Sequence, residues 1–388
     1  MLYWQIFSRF LALGLVSFGG PAAHIGYFRK AFVEELHWLD DKQYASFVAL
    51  SQFMPGPGSS QVGFAIGHHR GGVLGGLAAF IGFTLPSFLL LFMFAVTSAK
   101  WFDSSVVTGI IHGLKLLAVV VVADATLSMF KQFCQQQHAK LIAIMTAAVL
   151  LLSPAMTTQV IVLLVAAVLG RQLLNKQQGV DDADYTPTPI RLNYIWLLLF
   201  AVGAAVSFLL INQHDSLGQI FAQFFQVGSL VFGGGHVVLP LLETSVGELV
   251  SQERFLTGYA LAQAIPGPMF ALAAFLGADI WLESPILGAT IATLAIFLPG
   301  FLLMLVGLKS WTAISQRPKI SAAIAGVNAA VVGLLFSAFY APVFSSAVIS
   351  GLDMALVLIG FGLLKIYKPH IVLLVVSFAV IGGGLAFI

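Results

Sequence analysis

The stretch Gln52-Phe53-Met54-Pro55-Gly56-Pro57 returns in the second half of the chain as Gln263-Ala264-Ile265-Pro266-Gly267-Pro268. Proline has no amide hydrogen, so in a helix Pro55 and Pro57 would leave the carbonyls of Ser51 and Phe53 without partners, and Gly56 and Gly58 allow the backbone to turn there. Pro266 and Pro268 impose the same break on Ala262 and Ala264. The surroundings make the break expensive: the 388 residues are 59% hydrophobic and 9% charged, with a mean hydropathy of +0.97, whereas about a quarter of the residues of a soluble domain are charged. In hydrocarbon an unpaired backbone group costs several kcal/mol, so an interrupted helix survives only when it is buried in protein or lines an aqueous cavity. The sequence is therefore that of an all-α polytopic membrane protein with broken helices.

Working outward from this pair, the two halves match at further landmarks. Ile6 to Gly20, ending in Ser17-Phe18-Gly19-Gly20, matches Ile220 to Gly234, ending in Val231-Phe232-Gly233-Gly234; Leu85-Pro86 returns as Leu298-Pro299 and Gly113 as Gly326. A bilayer core about 30 Å thick needs roughly 17 to 25 helical residues. That length predicts about thirteen spans, near 3–20, 42–67 (broken), 73–97, 105–129, 139–153, 156–171, 194–212, 218–235, 255–280 (broken), 286–308, 320–340, 351–367 and 369–386. The division is 1–172 for the first repeat, 173–214 for a polar linker plus one connecting helix, and 215–388 for the second repeat. Six spans per repeat would keep both copies in one orientation, but the added helix from Tyr194 to Asn212 turns the second copy over. Inverted repeats with broken helices are an architecture of secondary transporters, with substrate near the midplane.

Cytoplasmic loops collect lysine and arginine. On this span map Arg70, Lys131, Lys140, Arg171, Lys176, Arg191, Arg254, Lys309, Arg317, Lys319, Lys365 and Lys368 fall on one side, and Arg29, Lys30, Lys42 and Lys100 on the other. The N-terminus is expected in the cytoplasm and the C-terminus outside. The opening residues show no basic leader with a small-residue cleavage site, so no removed signal peptide is expected. A net charge of +2 gives no field for nucleic acid, and the single cysteine, Cys134, supports neither a disulfide nor a thiolate metal cage. No cofactor, metal or catalytic residue is expected: H-E-x-x-H, G-x-S-x-G and Walker A patterns are missing.

Candidate binding residues gather at the breaks. Ser59, Ser60 and Gln61 restart a helix after Pro57, and free amides at a helix start suit an anion; a packing kink is the alternative. Gly19, Gly20 and Pro21, with Gly233 and Gly234 in the second copy, let backbone approach a ligand or another helix closely. Ionisable groups inside spans are candidates by default. Lys115 shares a helix face with His112 and is out of phase with Asp124, so it needs a counter-charge from another span, from another protomer, or from a bound anion. The aligned position in the second repeat is Asn328. Arg9 is read as reaching to the interface, His68 and His69 as surface histidines, and Asp279 and Glu283 as solvated at the non-cytoplasmic end of a span. Arg29 and Lys30 break the charge rule, which points either to the acidic Glu34, Glu35, Asp40 and Asp41 or to an anion route.

Phe18-Gly19-Gly20-Pro21 followed by His24, the Trp38-Leu39 pair, the Gln52 to Pro57 motif, and the second copy at Phe232-Gly233-Gly234-Gly235 and Gln263 to Pro268 resemble the chromate ion transporter family in its long form with two fused domains. The resemblance covers nearly the whole chain. It implies a bacterial inner-membrane protein that exports chromate and confers chromate resistance. His24 has Val238 at the corresponding offset, so its role is not duplicated.

The expectation is a transporter, not an enzyme, that moves a tetrahedral oxyanion outward by alternating access between the repeats. Its candidate substrate-binding residues are Gly19, Gly20, Pro21, His24, Gln52, Pro55, Gly56, Pro57, Ser59, Ser60, Lys115, Gly233, Gly234, Gln263, Pro266, Gly267, Pro268 and Asn328. The partners are chromate, with sulfate as a competitor, the lipid bilayer, and a second copy of the chain if it is a homodimer; nucleic acid is not among them. A permease for sulfate or another small anion is the first alternative, and an intramembrane enzyme or structural membrane protein the second.

Overall fold

A computed structural model describes residues 1–18, 20–98, 105–174, 193–213, 216–232, 238–311 and 317–387. Its helices, in order, are α1 (Leu2–Val16), α2 (Gly20–Arg29, continued by a π-helical turn, Lys30–Glu35), α3 (Asp41–Phe53), α4 (Gly58–Ser98), α5 (Ser105–Phe133), α6 (Gln137–Leu152), α7 (Met156–Leu173), α8 (Tyr194–Leu210), α9 (Leu217–Leu230), α10 (Val238–Val246), α11 (Gln252–Ala264), α12 (Leu272–Ile280), α13 (Pro285–Gly307), α14 (Pro318–Ala338), α15 (Gly351–Ile366) and α16 (Ile371–Leu385). Among the described residues five helices are long and apolar enough to cross a membrane: Gly58–Thr97, Ser105–Phe133, Met156–Leu173, Pro285–Gly307 and Pro318–Ala347. Large apolar side chains stand exposed along the outer helices, among them Leu164, Val168, Leu198, Phe208 and Leu373. A soluble protein rarely shows so much apolar surface, so the chain is a multi-pass membrane protein.

Helix α4 is two helices. Gly71 (φ −144°, ψ 23°) and Gly72 (φ 64°, ψ −159°) interrupt it, and the second of these conformations is one that glycine reaches without strain. The chain reverses there, for Gly67 lies against the backbone of Gly75, and Phe64 against Gly76. The glycines permit an approach that a side chain would block.

The reversal changes how the broken segments run. Gln43, in the first turn of α3, comes within 3.4 Å of His69 at the end of the first half of α4, and the Arg70 guanidinium stands over the Trp38 ring. The first half of α4 therefore carries the chain back to the end from which α3 set out. In the second copy Arg254, in the first turn of α11, binds Asp279 near the end of α12 through Nε at 3.0 Å and Nη2 at 2.5 Å. This segment is likewise a hairpin. The sequence expectation of one crossing for 42–67 and one for 255–280 is corrected accordingly, because each proline break turns the chain instead of kinking it. Two more short pairs fold back. Phe10 of α1 stacks on Phe32 and meets Phe28 of α2, and Gln223 of α9 donates to the Ser245 carbonyl near the end of α10 at 3.0 Å.

Arg254 Nη2 also reaches the Ala95 carbonyl at 3.0 Å. Ala95 is most of a membrane thickness along α4 from Gly72, at about 1.5 Å per residue. Arg254 thus belongs to the opposite end from Arg70, contrary to the expected grouping. Arg29 pairs with Asp41 and Glu34, and Asp41 opens α3, which places Arg29, Lys30 and Lys42 at the Arg70 end. Asp279 is bound to Arg254, not solvated, with its side chain 17% exposed.

The repeats exchange their last helices. Gly113 of α5 lies under the Phe378 carbonyl of α16, and Gly109 under Gly382; Gly326 of α14 lies under the Ala166 carbonyl of α7, and Gly170 under Ala322. Such small-residue seams let helices pack closely where lipid offers no hydrophobic gain. Each repeat is therefore braced by the end of the other.

Candidate functional site

At the break in the first repeat, Gly56 has φ +129° and its amide donates to the Val231 carbonyl at 2.7 Å. At the break in the second repeat, Gly267 has φ +104° and its amide donates to the Ser17 carbonyl at 3.0 Å. Val231 and Ser17 are aligned positions, each just before the Phe-Gly-Gly of its repeat. The tip of the second hairpin in each repeat is thus hydrogen-bonded to the tip of the first hairpin in the other. The neighbours follow the same rule: a Cβ on Gly56 would lie 2.7 Å from Gly300 Cα, and one on Gly267 would lie 2.9 Å from Ser87 Oγ, where Ser87 and Gly300 are again aligned.

Side chains complete the first junction. Gln61, fully buried, donates from Nε2 to the Pro55 carbonyl and the Gly300 carbonyl, both at 2.9 Å, so one amide holds both repeats. The aligned residue is Leu272, whose side chain has no amide with which to repeat this clip. His24 Nε2 lies 3.2 Å from the Ser17 carbonyl and Nδ1 3.2 Å from Ser59 Oγ. A carbonyl only accepts, so Nε2 carries the proton, and in the neutral ring Nδ1 accepts from the Ser59 hydroxyl. His24 therefore ties α2 to the start of α4 and to the carbonyl that also serves Gly267.

The remaining candidates fall as follows. Gly20 (φ +75°) opens α2 with Pro21 beside it, and a Cβ there would meet Met269 Sδ at 3.8 Å. Pro57, Pro266 and Pro268 flank the two turns, and Ser60 is buried with its hydroxyl unpartnered. Gln263 lies on α11 and bonds the buried Tyr259. Gly19, Gly233 and Gly234 lie outside the described residues. Lys115 finds its counter-charge within the chain: Nζ is 3.7 Å from Glu253 Oε1. His112 Nε2 is 2.8 Å from Asp353, and Asp124 pairs with Lys365 of α15. His112, Lys115 and Asp124 of α5 are thus matched across the repeats, not along one helix.

Gln52 and Asn328 meet in a cavity of about 440 Å³ at the Arg70 end, walled by the ends of α3, α5, α6, α7 and α14. Its polar lining is Gln52, Gln132, Gln135, Gln136, Ser321 and Asn328, and among the described residues no ionisable side chain lines it. Asn328 is 8% exposed, and its Oδ1 has no hydrogen-bond partner; nor has the buried Oε1 of Gln136. The exposed Lys131, Lys140, Arg171 and Lys319 stand within three residues of the lining in sequence. The sequence reading missed Gln132, Gln135 and Gln136, and its one signal was a cluster of glutamines across the end of the apolar α5. Beside this wall burial pushes the Cys134 thiol up to about 11.

A family model described as Chromate transporter matches residues 4–171 and 218–383. Among curated proteins, an uncharacterised transporter of Methanocaldococcus jannaschii is 27% identical over 98% of this chain and 94% of its own length. A chromate transport protein of Pseudomonas aeruginosa is 28% identical over 86% of this chain and 80% of its own. A probable chromate transport protein of Synechococcus elongatus is 29% identical over 86% and 83%. No solved structure matches.

Proposed function

The chain belongs to the chromate transporter family, and from that premise we propose that it exports chromate across a bacterial inner membrane and so confers chromate resistance, without catalysing a reaction. The observation that carries this reading is the reciprocal pair of tip bonds, Gly56 to Val231 and Gly267 to Ser17. Two copies of one fold meeting through equivalent atoms is the arrangement expected of inverted repeats, whose equivalent segments exchange conformations to open a central site first to one side and then to the other.

In this reading the helices beyond the four hairpins do the crossing: the second half of α4, then α5, α6 and α7; α8 alone; then α13, α14, α15 and α16. Four crossings per repeat and one between them turn the second copy over, as thirteen would, and leave the N-terminus in the cytoplasm and the C-terminus outside. Moving Arg29, Lys30 and Lys42 to the Arg70 end, and Arg254 away from it, gives the lysine and arginine bias one direction and supports the Arg70 end as cytoplasmic. The cavity holding Gln52 and Asn328 then opens inward. The aligned pair in the other repeat, Gln263 and Lys115, would line the outward-facing counterpart, which the Lys115–Glu253 and His112–Asp353 pairs keep shut in this conformation.

An inside-negative potential favours anion exit by about 2.3 kcal/mol per charge per 100 mV, so a dianion leaves without a coupled ion. Sulfate has the same shape and charge and is expected to compete, because sites discriminate weakly between near-isosteres. Cells expressing the chain should accumulate less radiolabelled chromate than cells carrying an empty vector and grow at higher chromate concentrations. Equal accumulation at matched protein levels would contradict export.

A further inference from the structure

Of the polar residues that line the cavity at the Arg70 end, the sequence motifs offer Gln52 and Asn328 as substrate-binding candidates, and nothing assigns Gln132, Gln135, Gln136 or Ser321 to a ligand. We propose that it is the cytoplasmic binding station for a tetrahedral oxyanion, held by the neutral side-chain amides of Gln52, Gln132, Gln135, Gln136 and Asn328 with the Ser321 hydroxyl. The assignment rests on the transport reading above and deepens it.

Two observations support a ligand here. Asn328 is nine-tenths buried, yet its amide oxygen is unpartnered, and the buried oxygen of Gln136 is in the same position. A buried amide left unpaired is costly, and both residues line the cavity. Rotation about the last side-chain torsion exchanges an amide's oxygen and NH₂, so each can offer two donors to an acceptor in the cavity. The second observation is charge. The exposed Lys131, Lys140, Arg171 and Lys319 close to the lining in sequence raise the local concentration of anions and disfavour a cation that amide oxygens would otherwise suit.

A lining without an ionisable group among the described residues fits transport better than storage. A fixed cation would grip a dianion tightly and slow its release, whereas a site on a conduction path must bind strongly enough to admit an ion and weakly enough to let it go. Several neutral donors around four acceptor oxygens meet both demands. Amides also separate this station from its aligned counterpart, where Lys115 replaces Asn328. The inward face would then recognise by hydrogen-bond geometry and the outward face by charge.

The test is initial-rate uptake of radiolabelled chromate into everted membrane vesicles, whose outer face is the cytoplasmic one, with sulfate as competitor. Asn328→Leu and Gln136→Leu should each raise KM for chromate, and the inhibition constant for sulfate, by about tenfold, the effect of one lost hydrogen bond to a charged group, while the rate at saturating chromate is kept. Asn328→Ser, which retains a donor, should recover much of the loss. Neutralising Lys131, Lys140, Arg171 and Lys319 to Gln should lower uptake at low ionic strength and flatten its salt dependence. Thermal melting in detergent separates misfolding from lost affinity, and the half-buried Gln136 serves if the Asn328 variants do not fold. If the unaltered chain takes up no chromate, the transport reading itself fails. If it does, and folded Leu variants keep KM for both anions, the amide station is wrong.

Discussion

Gly56 and Gly267 occupy aligned turns with positive φ but differ in what surrounds them. A Cβ on Gly56 would strike the Gly300 backbone at 2.7 Å, whereas one on Gly267 would meet the Ser87 hydroxyl at 2.9 Å, which can rotate away, and Ser87 Cβ at 3.1 Å, with the Phe83 carbonyl oxygen at 3.5 Å. Both substitutions by alanine carry the strain of a left-handed conformation, roughly 1 to 3 kcal/mol, and Gly56→Ala adds a clash that only backbone movement relieves. Gly56→Ala is therefore expected to lower the melting temperature and chromate uptake more than Gly267→Ala, measured side by side on purified protein and in vesicles. At this scale the proline and glycine positions were readable because missing amides and special torsions are local properties. The part played by Gln61 was not, since its two acceptors, the Pro55 and Gly300 carbonyls, are brought together only by the docking of the two repeats. The glutamines across the end of α5 were passed over for the same reason. A polar run at a helix end looks like a loop until Asn328 and Gln52 are seen facing it.

At the scale of elements, hydropathy reports that a segment is apolar but not whether it crosses or turns back. Residues 42–67 and 255–280 have the length of a span, and the decisive facts are the Gln43–His69 and Arg254–Asp279 contacts at the feet of the hairpins. The Arg254 and Asp279 side chains are 12% and 17% exposed, and Arg254 also stands over the Phe275 ring with its carbon 4.8 Å from the centroid. Removing one partner of a buried pair leaves an uncompensated charge and costs about 3 to 5 kcal/mol. Arg254→Ala should therefore destabilise the protein by that order in a detergent melt, and adding Asp279→Asn should restore part of the loss. An equal and additive effect of the two substitutions would mean that the hairpin is not closed by this pair.

On the scale of the whole molecule, the repeat was legible because the same landmarks return in the same order, and the braid of the repeats was not, because nothing in one repeat announces that its last helix packs on the other. The seams at Gly113 with Phe378 and at Gly326 with Ala166 make each repeat depend on its partner. Inversion of the second copy makes a prediction about sidedness. Cysteines placed at the start of α3 (Lys42→Cys) and at the start of α11 (Gln252→Cys) should react with a membrane-impermeant maleimide from opposite faces, Lys42→Cys only in everted vesicles and Gln252→Cys only in intact spheroplasts. Burial keeps the thiol of Cys134 protonated, with its pKa pushed up to about 11, so the native cysteine stays quiet at neutral pH. Labelling of both sites from one face would refute inversion.

The most direct measurement is uptake of radiolabelled chromate into everted vesicles under an imposed potential. With the vesicle interior positive, chromate should accumulate above its external concentration and leave again when the potential is collapsed, because a dianion moving uncoupled follows the field. No uptake above that of vesicles lacking the protein, under either condition, would contradict chromate export by this chain.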